Sequence, residues 1–346
     1  MSALELVFAS GYEQVVFCQD AACGYRAILA LHSTALGPAT GGTRLWPYAS
    51  TADALADALR LSRGMTYKNA AAGLALGGGK AVILAPPVPF DREALFLAHG
   101  RAVEQLGGRF ITAEDVGTTP ADFEVAARVT SWVAGIDGKG GDPSPWTARG
   151  VFAGILACAQ HHWGTTDLTG RVASIQGCGN VGAALANHLA GRGVRLVVCD
   201  PDAERTRSLA QRLGATVVAP AEIYDVAADI FVPCALGAVL NDATIARLQV
   251  TIVAGAANNQ LEADRHADVL AAKGILYAPD FVINAGGVIS GSVALLGETH
   301  DAMVRRVDGI ADTLHEVFAH ARRDGISTQR AAEWRAEQAL ARPRTR

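Results

Sequence analysis

No stretch of this chain approaches the roughly 18 uncharged apolar residues that a membrane-spanning helix needs, so a membrane partner is not expected. Basic excess is missing too. The formal net charge is -4, whereas a nucleic-acid footprint needs a concentration of Lys and Arg on one face. The six cysteines, at 18, 23, 158, 178, 199 and 234, form no CxxC pair and have no histidines at metal-ligand spacing. No metal site is expected, and His161-His162, at a helix end before Trp163, reads as structural. A reduced, cytoplasmic protein is the default. Met1-Ser2-Ala3-Leu4-Glu5 also lacks the basic region and hydrophobic stretch of a secretory leader.

A phosphate-binding loop of the Walker type is absent as well. Gly79-Lys80 would need a Gly five residues before the pair and a Ser or Thr after it, but Leu74 and Ala81 occupy those places. The two lysines of "GMTYKNAAAGLALGGGKAVIL", Lys68 and Lys80, therefore call for another account. Small and apolar residues lie between them, and Ala81-Val82-Ile83-Leu84 reads as a buried strand. Two readings remain open. Either the lysines snorkel to the surface, or they stand in a dry, Gly-lined pocket where desolvation loosens their protons. In the second case one can serve as a base near neutral pH and the other can clamp a carboxylate.

At 346 residues the chain is comfortable as two domains. The first third mixes strands and helices. Ala27–His32 reads as a strand. Ser50-Thr51-Ala52-Asp53 opens a helix running towards Gly64, with Asp as a shorter substitute for the capping Glu. Thr119-Pro120 starts another helix. The Gly- and Pro-rich stretch 135–150 marks a domain boundary or hinge, with a new helix from Thr147.

Beyond it short apolar runs alternate with helical stretches, which predicts a doubly wound parallel sheet. The expected fold is α/β. Residues 1–140 form an α/β domain for substrate, catalysis and oligomerisation. Residues 141–300 form a Rossmann domain across a cleft, and helices at 301–346 return toward the first domain.

Strand Val172–Ile175 leads into Gly177-Cys178-Gly179-Asn180-Val181-Gly182, and the next strand ends in Asp200. In this context G-x-G-x-x-G is a dinucleotide fingerprint. Gly177 allows the tight turn, Gly179 lets the backbone approach a pyrophosphate, and Gly182 lets the helix pack closely. Asn180 and Val181 open the helix whose free N–H groups receive the phosphates. Asp200 accepts hydrogen bonds from the ribose and repels a 2′-phosphate, so NAD is the expected cofactor rather than NADP.

The chain resembles the glutamate/leucine/phenylalanine/valine dehydrogenase family, in its branched-chain and aromatic amino-acid branch. "GGTRLWPYAS", "LGGGKAVI", "ITAEDVGTT", "GDPSPWTARGVF", "QGCGNVG", "PCALG", "AGAANNQL" and "GILYAPDFVINAGGV" follow the family order from about residue 10 to 335. The resemblance implies a homo-oligomeric enzyme that interconverts a hydrophobic L-amino acid with its 2-oxo acid and ammonia. It implies that Lys68 binds the α-carboxylate beside a Gly41-Gly42 turn. Lys80 deprotonates the attacking water, and Asp115 shuttles protons at the substrate nitrogen. Asn258 is placed near the carboxylate and ribose, and Thr147 and Asn284 at the nicotinamide carboxamide. Glu114 reads as a solvated neighbour.

The chain departs from the leucine enzymes at Thr40, where they commonly carry a bulky aliphatic residue, and at Ser290-Gly291, where they commonly carry Asn-Val. With the small Ala113, these positions suggest a side-chain pocket open enough for an aromatic ring. None offers a cation for a distal carboxylate, which argues against glutamate. Two alternatives remain: biosynthetic reductive amination of one 2-oxo acid, and a catalytically silent NAD-binding regulator that would have lost Lys80 or Asp115.

Overall fold

The computed structural model describes residues 7–8, 11–136 and 142–341, apart from the side chain of Ala294. Part of the expected hinge, 137–141, lies outside the described residues. The chain divides into two compact units. Unit 1 is Met1–Gly141 with Gly291–Glu298 and Ala336–Arg346; unit 2 is Asp142–Ser290 with Thr299–Arg335.

Unit 1 carries strands β1 (Gln14–Asp20), β2 (Tyr25–Ser33), β3 (Ala39–Trp46), β4 (Gly77–Leu84) and β5 (Phe110–Glu114). Helices α1 (Thr51–Ala71), α2 (Arg92–Glu104) and α3 (Pro120–Ala126) complete it. The sheet order is β1-β2-β4-β3-β5. β1 and β4 run antiparallel to β2, while β4 and β5 run parallel to β3. Because strand side chains alternate between faces, the sheet separates two cores. Leu29, Ala81, Ile83 and Phe110 join Leu95 and Phe96 of α2. Ile28, Ala30, Val82 and Leu84 join Ala54, Leu55, Ala58 and Leu59 of α1.

The glycines of β4 are packing residues. The strand extends back through Gly77, Gly78 and Gly79 instead of beginning after Lys80, and every position in it is buried. A Cβ on Gly78 would lie 2.0 Å from the Thr66 amide of α1, and one on Gly79 would lie 2.7 Å from the Phe110 ring. α1 also passes Gly64 and continues to Ala71, carrying Lys68 in its last turn. Gly costs a helix interior only about 1 kcal/mol relative to Ala, which packing onto the sheet overcomes. Ser50 caps the helix as expected, its Oγ accepting from the Asp53 amide at 3.1 Å.

Unit 2 opens with α4 (Ser144–Trp163), then β6 (Val172–Gln176), α5 (Asn180–Ala190), β7 (Arg195–Cys199), α6 (Ala203–Leu213), β8 (Thr216–Val217) and β9 (Ile230–Pro233). It continues through α7 (Asp242–Arg247), β10 (Ile252–Val253), α8 (Arg265–Ala272), β11 (Leu276–Tyr277) and α9 (Asp280–Ile283). Helices α10 (Gly286–Leu296), α11 (His300–Asp308), α12 (Ile310–Asp324) and α13 (Thr328–Ala341) follow. The sheet order is β11-β10-β9-β6-β7-β8, and every pairing in it is parallel. The order reverses direction at β6, which makes the C-terminal ends of β6 and β9 the topological switch point.

The C-terminal helices divide between the two units. α11 and α12 belong to unit 2, while 336–346 joins unit 1. The physical reason lies in α4. A Cβ on Gly150 would lie 2.7 Å from Ile310 Cδ1, and one on Gly154 would lie 2.9 Å from Leu314 Cδ1, so α12 seats directly against α4. In unit 1, Tyr67 donates to Glu337 Oε1 at 2.9 Å. His161 packs against Phe318 with ring centroids 4.9 Å apart, a structural role.

Candidate active site

Lys80 is 5% exposed. It points to the α1 face of the sheet, the face its register partner Ala30 shares. Its Nζ donates to Asp115 Oδ2 at 2.7 Å. Burial pushes the Lys80 pKa down; Asp115 opposes that shift and nearby Arg44 adds to it. Burial alone would raise the Asp115 carboxyl, but Lys80 and Arg44 outweigh it and hold the group below the ordinary carboxylate value. The pair therefore combines an ammonium that releases its proton more readily than an exposed lysine with a carboxylate that stays ionised.

Asp115 follows β5 in a fixed loop. Its amide donates to Thr118 Oγ1 at 3.0 Å, and the Leu45 amide donates to the Val116 carbonyl at 3.0 Å. Gly117, at φ +81°, brings its Cα so near that a Cβ would lie 1.9 Å from the Leu45 oxygen. Arg92 Nη2 donates to the Gly117 carbonyl at 2.8 Å.

Gly41 and Gly42 lie inside β3 and not in a turn. A Cβ on Gly41 would lie 1.8 Å from the Gly79 oxygen, and one on Gly42 would lie 2.8 Å from Asp115 Cβ. Gly42 is thus the small residue that lets Asp115 approach the sheet. Thr40 pairs with Gly78, and Ala113 pairs with Gly42. In-register partners share a face, so Thr40 and Ala113 stand on the same side as Lys80. Lys68 is half-buried near the end of α1, the helix on that side. Gly291 belongs to unit 1, and a Cβ there would meet open space. Glu114 is exposed, as expected of a solvated neighbour.

Sequence reasoning missed Arg44, Asp57 and Tyr48. Arg44 Nε donates to Asp115 Oδ2 at 3.0 Å, and its Nη1 donates to Asp57 Oδ2 at 2.8 Å. Tyr48 donates to the same Asp57 oxygen at 2.6 Å. The available signal was the strand period, which sets Arg44 two residues beyond Gly42 on the same face.

In unit 2 the glycine loop has the geometry of a dinucleotide cradle. Gly177 adopts φ +101°, where an added Cβ would press on Cys234 and Ala235 at 2.9 Å. Gly182 would place a Cβ 2.0 Å from the Gly177 oxygen, whereas Gly179 faces open space. α5 begins at Asn180 and Val181 with no side-chain cap, which leaves its first amides free for phosphate oxygens. Asp200 Oδ2 accepts from the Cys178 amide at 2.7 Å and Oδ1 from the Asp202 amide at 2.9 Å. A carboxylate has about four acceptor sites, so it retains capacity for ribose hydroxyls.

Asn284 Nδ2 donates to Asn258 Oδ1 at 2.9 Å, while its own Oδ1 is buried without a hydrogen-bond partner. Such an orphaned acceptor fits a carboxamide donor. Thr147 Oγ1 donates to the Pro143 carbonyl at 3.0 Å, and Gly287 would place a Cβ 2.6 Å from that hydroxyl, so the 284–287 segment lies against the start of α4. The residues present fit a nicotinamide dinucleotide.

A dinucleotide cradle in one unit and a buried lysine–carboxylate pair in another define the class: an oxidoreductase with proton-transfer groups of its own. Family comparison makes this specific. Residues 12–132 match the Glu/Leu/Phe/Val dehydrogenase dimerisation domain, and residues 201–339 match the Glutamate/Leucine/Phenylalanine/Valine dehydrogenase domain. The chain belongs to this family and is an amino-acid dehydrogenase.

It is 50% identical to leucine dehydrogenase of Bacillus cereus over 333 residues, covering 95% of this chain and 91% of that protein. It is 50% identical to valine dehydrogenase of Streptomyces albus over 343 residues, 97% of this chain and 94% of that one. The crystal structure of L-tryptophan dehydrogenase from Nostoc punctiforme matches with a TM-score of 0.87 at 46% identity, over 97% of this chain and 98% of that chain. Among the described residues no helix is long and apolar enough to cross a membrane, and no three His, Cys, Asp or Glu are grouped to hold a metal ion.

Proposed function

We propose that the chain catalyses the NAD-dependent, reversible oxidative deamination of a hydrophobic L-amino acid to its 2-oxo acid and ammonia. The observation that carries this reading is the 2.7 Å bond between the buried Lys80 and the half-buried Asp115. A bound nicotinamide would supply the hydride acceptor. The chain's own residues supply the rest. Lys68 pairs with the α-carboxylate. Asp115 faces the cationic imine with negative charge and moves protons at the nitrogen. Lys80, neutral when it acts, takes a proton from the water that attacks the imino carbon, and ammonia leaves after a proton reaches it through Asp115. Relief of the positive charge on Lys80 matters because a second cation would oppose the iminium. We assign the working form as a cytoplasmic homo-oligomer, in keeping with the matched dimerisation domain and six free cysteines.

The test is reduction of NAD with each of the twenty amino acids in turn. Turnover confined to hydrophobic L-amino acids supports the reading; no turnover with any of them ends it. The same assay with NADP examines Asp200. Asp200→Ala is expected to weaken NAD binding by about 10- to 100-fold, the loss of one charge-assisted hydrogen bond or two. It should also narrow the NAD/NADP preference, because it removes the negative charge that would repel a 2′-phosphate and leaves Arg205, 3.9 Å from the carboxylate, nearby. An unchanged preference would take Asp200 off the ribose.

The open space at Gly291 and the position of Thr40 and Ala113 on the Lys80 face support a pocket that accepts an aromatic side chain. Gly291→Val should then lower kcat/KM for phenylalanine relative to leucine by about 10-fold or more, since one methylene in such a pocket is worth roughly 1–3 kcal/mol. If that ratio stays fixed, residue 291 does not line the pocket.

A further inference from the structure

We propose that Arg44, anchored by Asp57 and Tyr48, is a positioning residue that orients Asp115 and sets the pH at which the Lys80–Asp115 pair works. The inference rests on the reading that this pair transfers the protons of the reaction. Its own support is geometric.

One oxygen, Asp115 Oδ2, accepts from both Lys80 Nζ at 2.7 Å and Arg44 Nε at 3.0 Å. The other prong of the guanidinium reaches Asp57 Oδ2 at 2.8 Å. Asp57 is held in turn by Tyr48 at 2.6 Å and by Arg60 on its other oxygen at 3.1 Å. The series links four segments: β4 through Lys80, the loop after β5 through Asp115, β3 through Arg44, and α1 through Asp57. A planar guanidinium presents its two donors in a fixed, spread geometry that the single nitrogen of a lysine does not reproduce. Asp115 Oδ2 is thus held by a second donor besides Lys80. A proton donor or acceptor must be placed to within a fraction of an ångström to work.

The same arrangement sets charge. Arginine stays protonated throughout the working range. A fixed cation beside the pair disfavours every protonated form, so its loss should raise the working pKa of the pair. Asp57 is a fixed anion of opposite effect, so its loss should lower it. The other groups around the pair are Arg60 of α1, the Tyr48 phenol and Glu114 beside Asp115; Glu114 is exposed, and Arg60 reaches the pair only through Asp57. Burial together with Asp122 and Asp115 raises the Glu114 pKa.

The experiment is the kcat/KM–pH profile of the full-length protein with NAD and its best amino acid, for the parent, Arg44→Gln, Arg44→Lys and Asp57→Asn. Thermal melting and NAD affinity are followed in parallel. Arg44→Gln is expected to move the rising limb to higher pH by about 1 unit and to lower the plateau by roughly 10²-fold. Arg44→Lys should restore the limb but not the plateau, because it keeps the charge and loses the bridge. Asp57→Asn should move the limb to lower pH. Opposite displacements are the signature, since damage to packing would scale the whole curve. Limbs that stay in place, or move in the same direction, overturn the proposal. If Arg44→Gln does not fold, the direction of the Asp57→Asn shift decides. An active Lys80→Ala variant would instead overturn the reading of the reaction itself, whatever the Arg44 profiles show.

Discussion

Lys80→Ala is expected to lower turnover by about 10²–10⁴-fold, the usual contribution of a positioned acid–base group, with NAD affinity unchanged. The fold should survive. Lys80 sits in β4 with its backbone paired to Ala30 of β2, and the substitution keeps that pairing. It also strands no charge, because Asp115 keeps Arg44 Nε at 3.0 Å. The residues proposed to hold NAD belong to unit 2, whose glycine loop and Asp200 the substitution does not touch. Lys80→Arg should not rescue, since a guanidinium does not release its proton. Steady-state rates with fluorescence-monitored NAD binding check both halves of this expectation. A variant that retains parental turnover removes Lys80 from the chemistry.

Lys68 and Lys80 stood out in the sequence because their neighbours were wrong for a surface charge, whereas Asp115 was implied by the family resemblance. The glycine fingerprint, the parallel sheet and the Ser50 cap were likewise legible, since each depends on residues close together in the chain. The glycines of "LGGGK" were legible as unusual but not in their purpose. Gly78 is small because Thr66 of α1 packs 2.0 Å from where its Cβ would stand, and no local pattern announces which helix will cross a strand. The order β1-β2-β4-β3-β5 was hidden for the same reason. Arg44 and Asp57 were hidden because their significance is pairwise: each is an ordinary charged residue until β3, α1 and the loop after β5 meet. The family resemblance implied a turn at Gly41-Gly42. They are strand residues because the Gly79 backbone and the Asp115 side chain come too close for any larger residue.

Asp115→Ala is expected to lower turnover as Lys80→Ala does, but with a loss of stability that Lys80→Ala does not show. The two variants remove opposite ends of one hydrogen bond, and the remainders differ. Without Asp115, the buried Lys80 ammonium loses its hydrogen-bonded carboxylate and retains the repulsion of Arg44. Breaking a buried pair from one side costs roughly 3 kcal/mol or more. Lys80 can relieve this by giving up its proton, so its folded-state pKa should fall still further below the unfolded value of about 10.4. Between those two values the unfolded chain binds more protons than the folded one, and stability then rises with pH. The deficit of Asp115→Ala should therefore be largest near pH 7 and shrink towards pH 10, measured against the parent at each pH. For a 346-residue chain, a loss of this size corresponds to several degrees in Tm. Thermal melts of the parent, Lys80→Ala and Asp115→Ala at pH 7 and 9.5 supply the comparison. If Asp115→Ala melts with the parent at pH 7, Lys80 is not relying on Asp115 for its charge, and the proton-sharing pair at the centre of the proposed reaction loses its support.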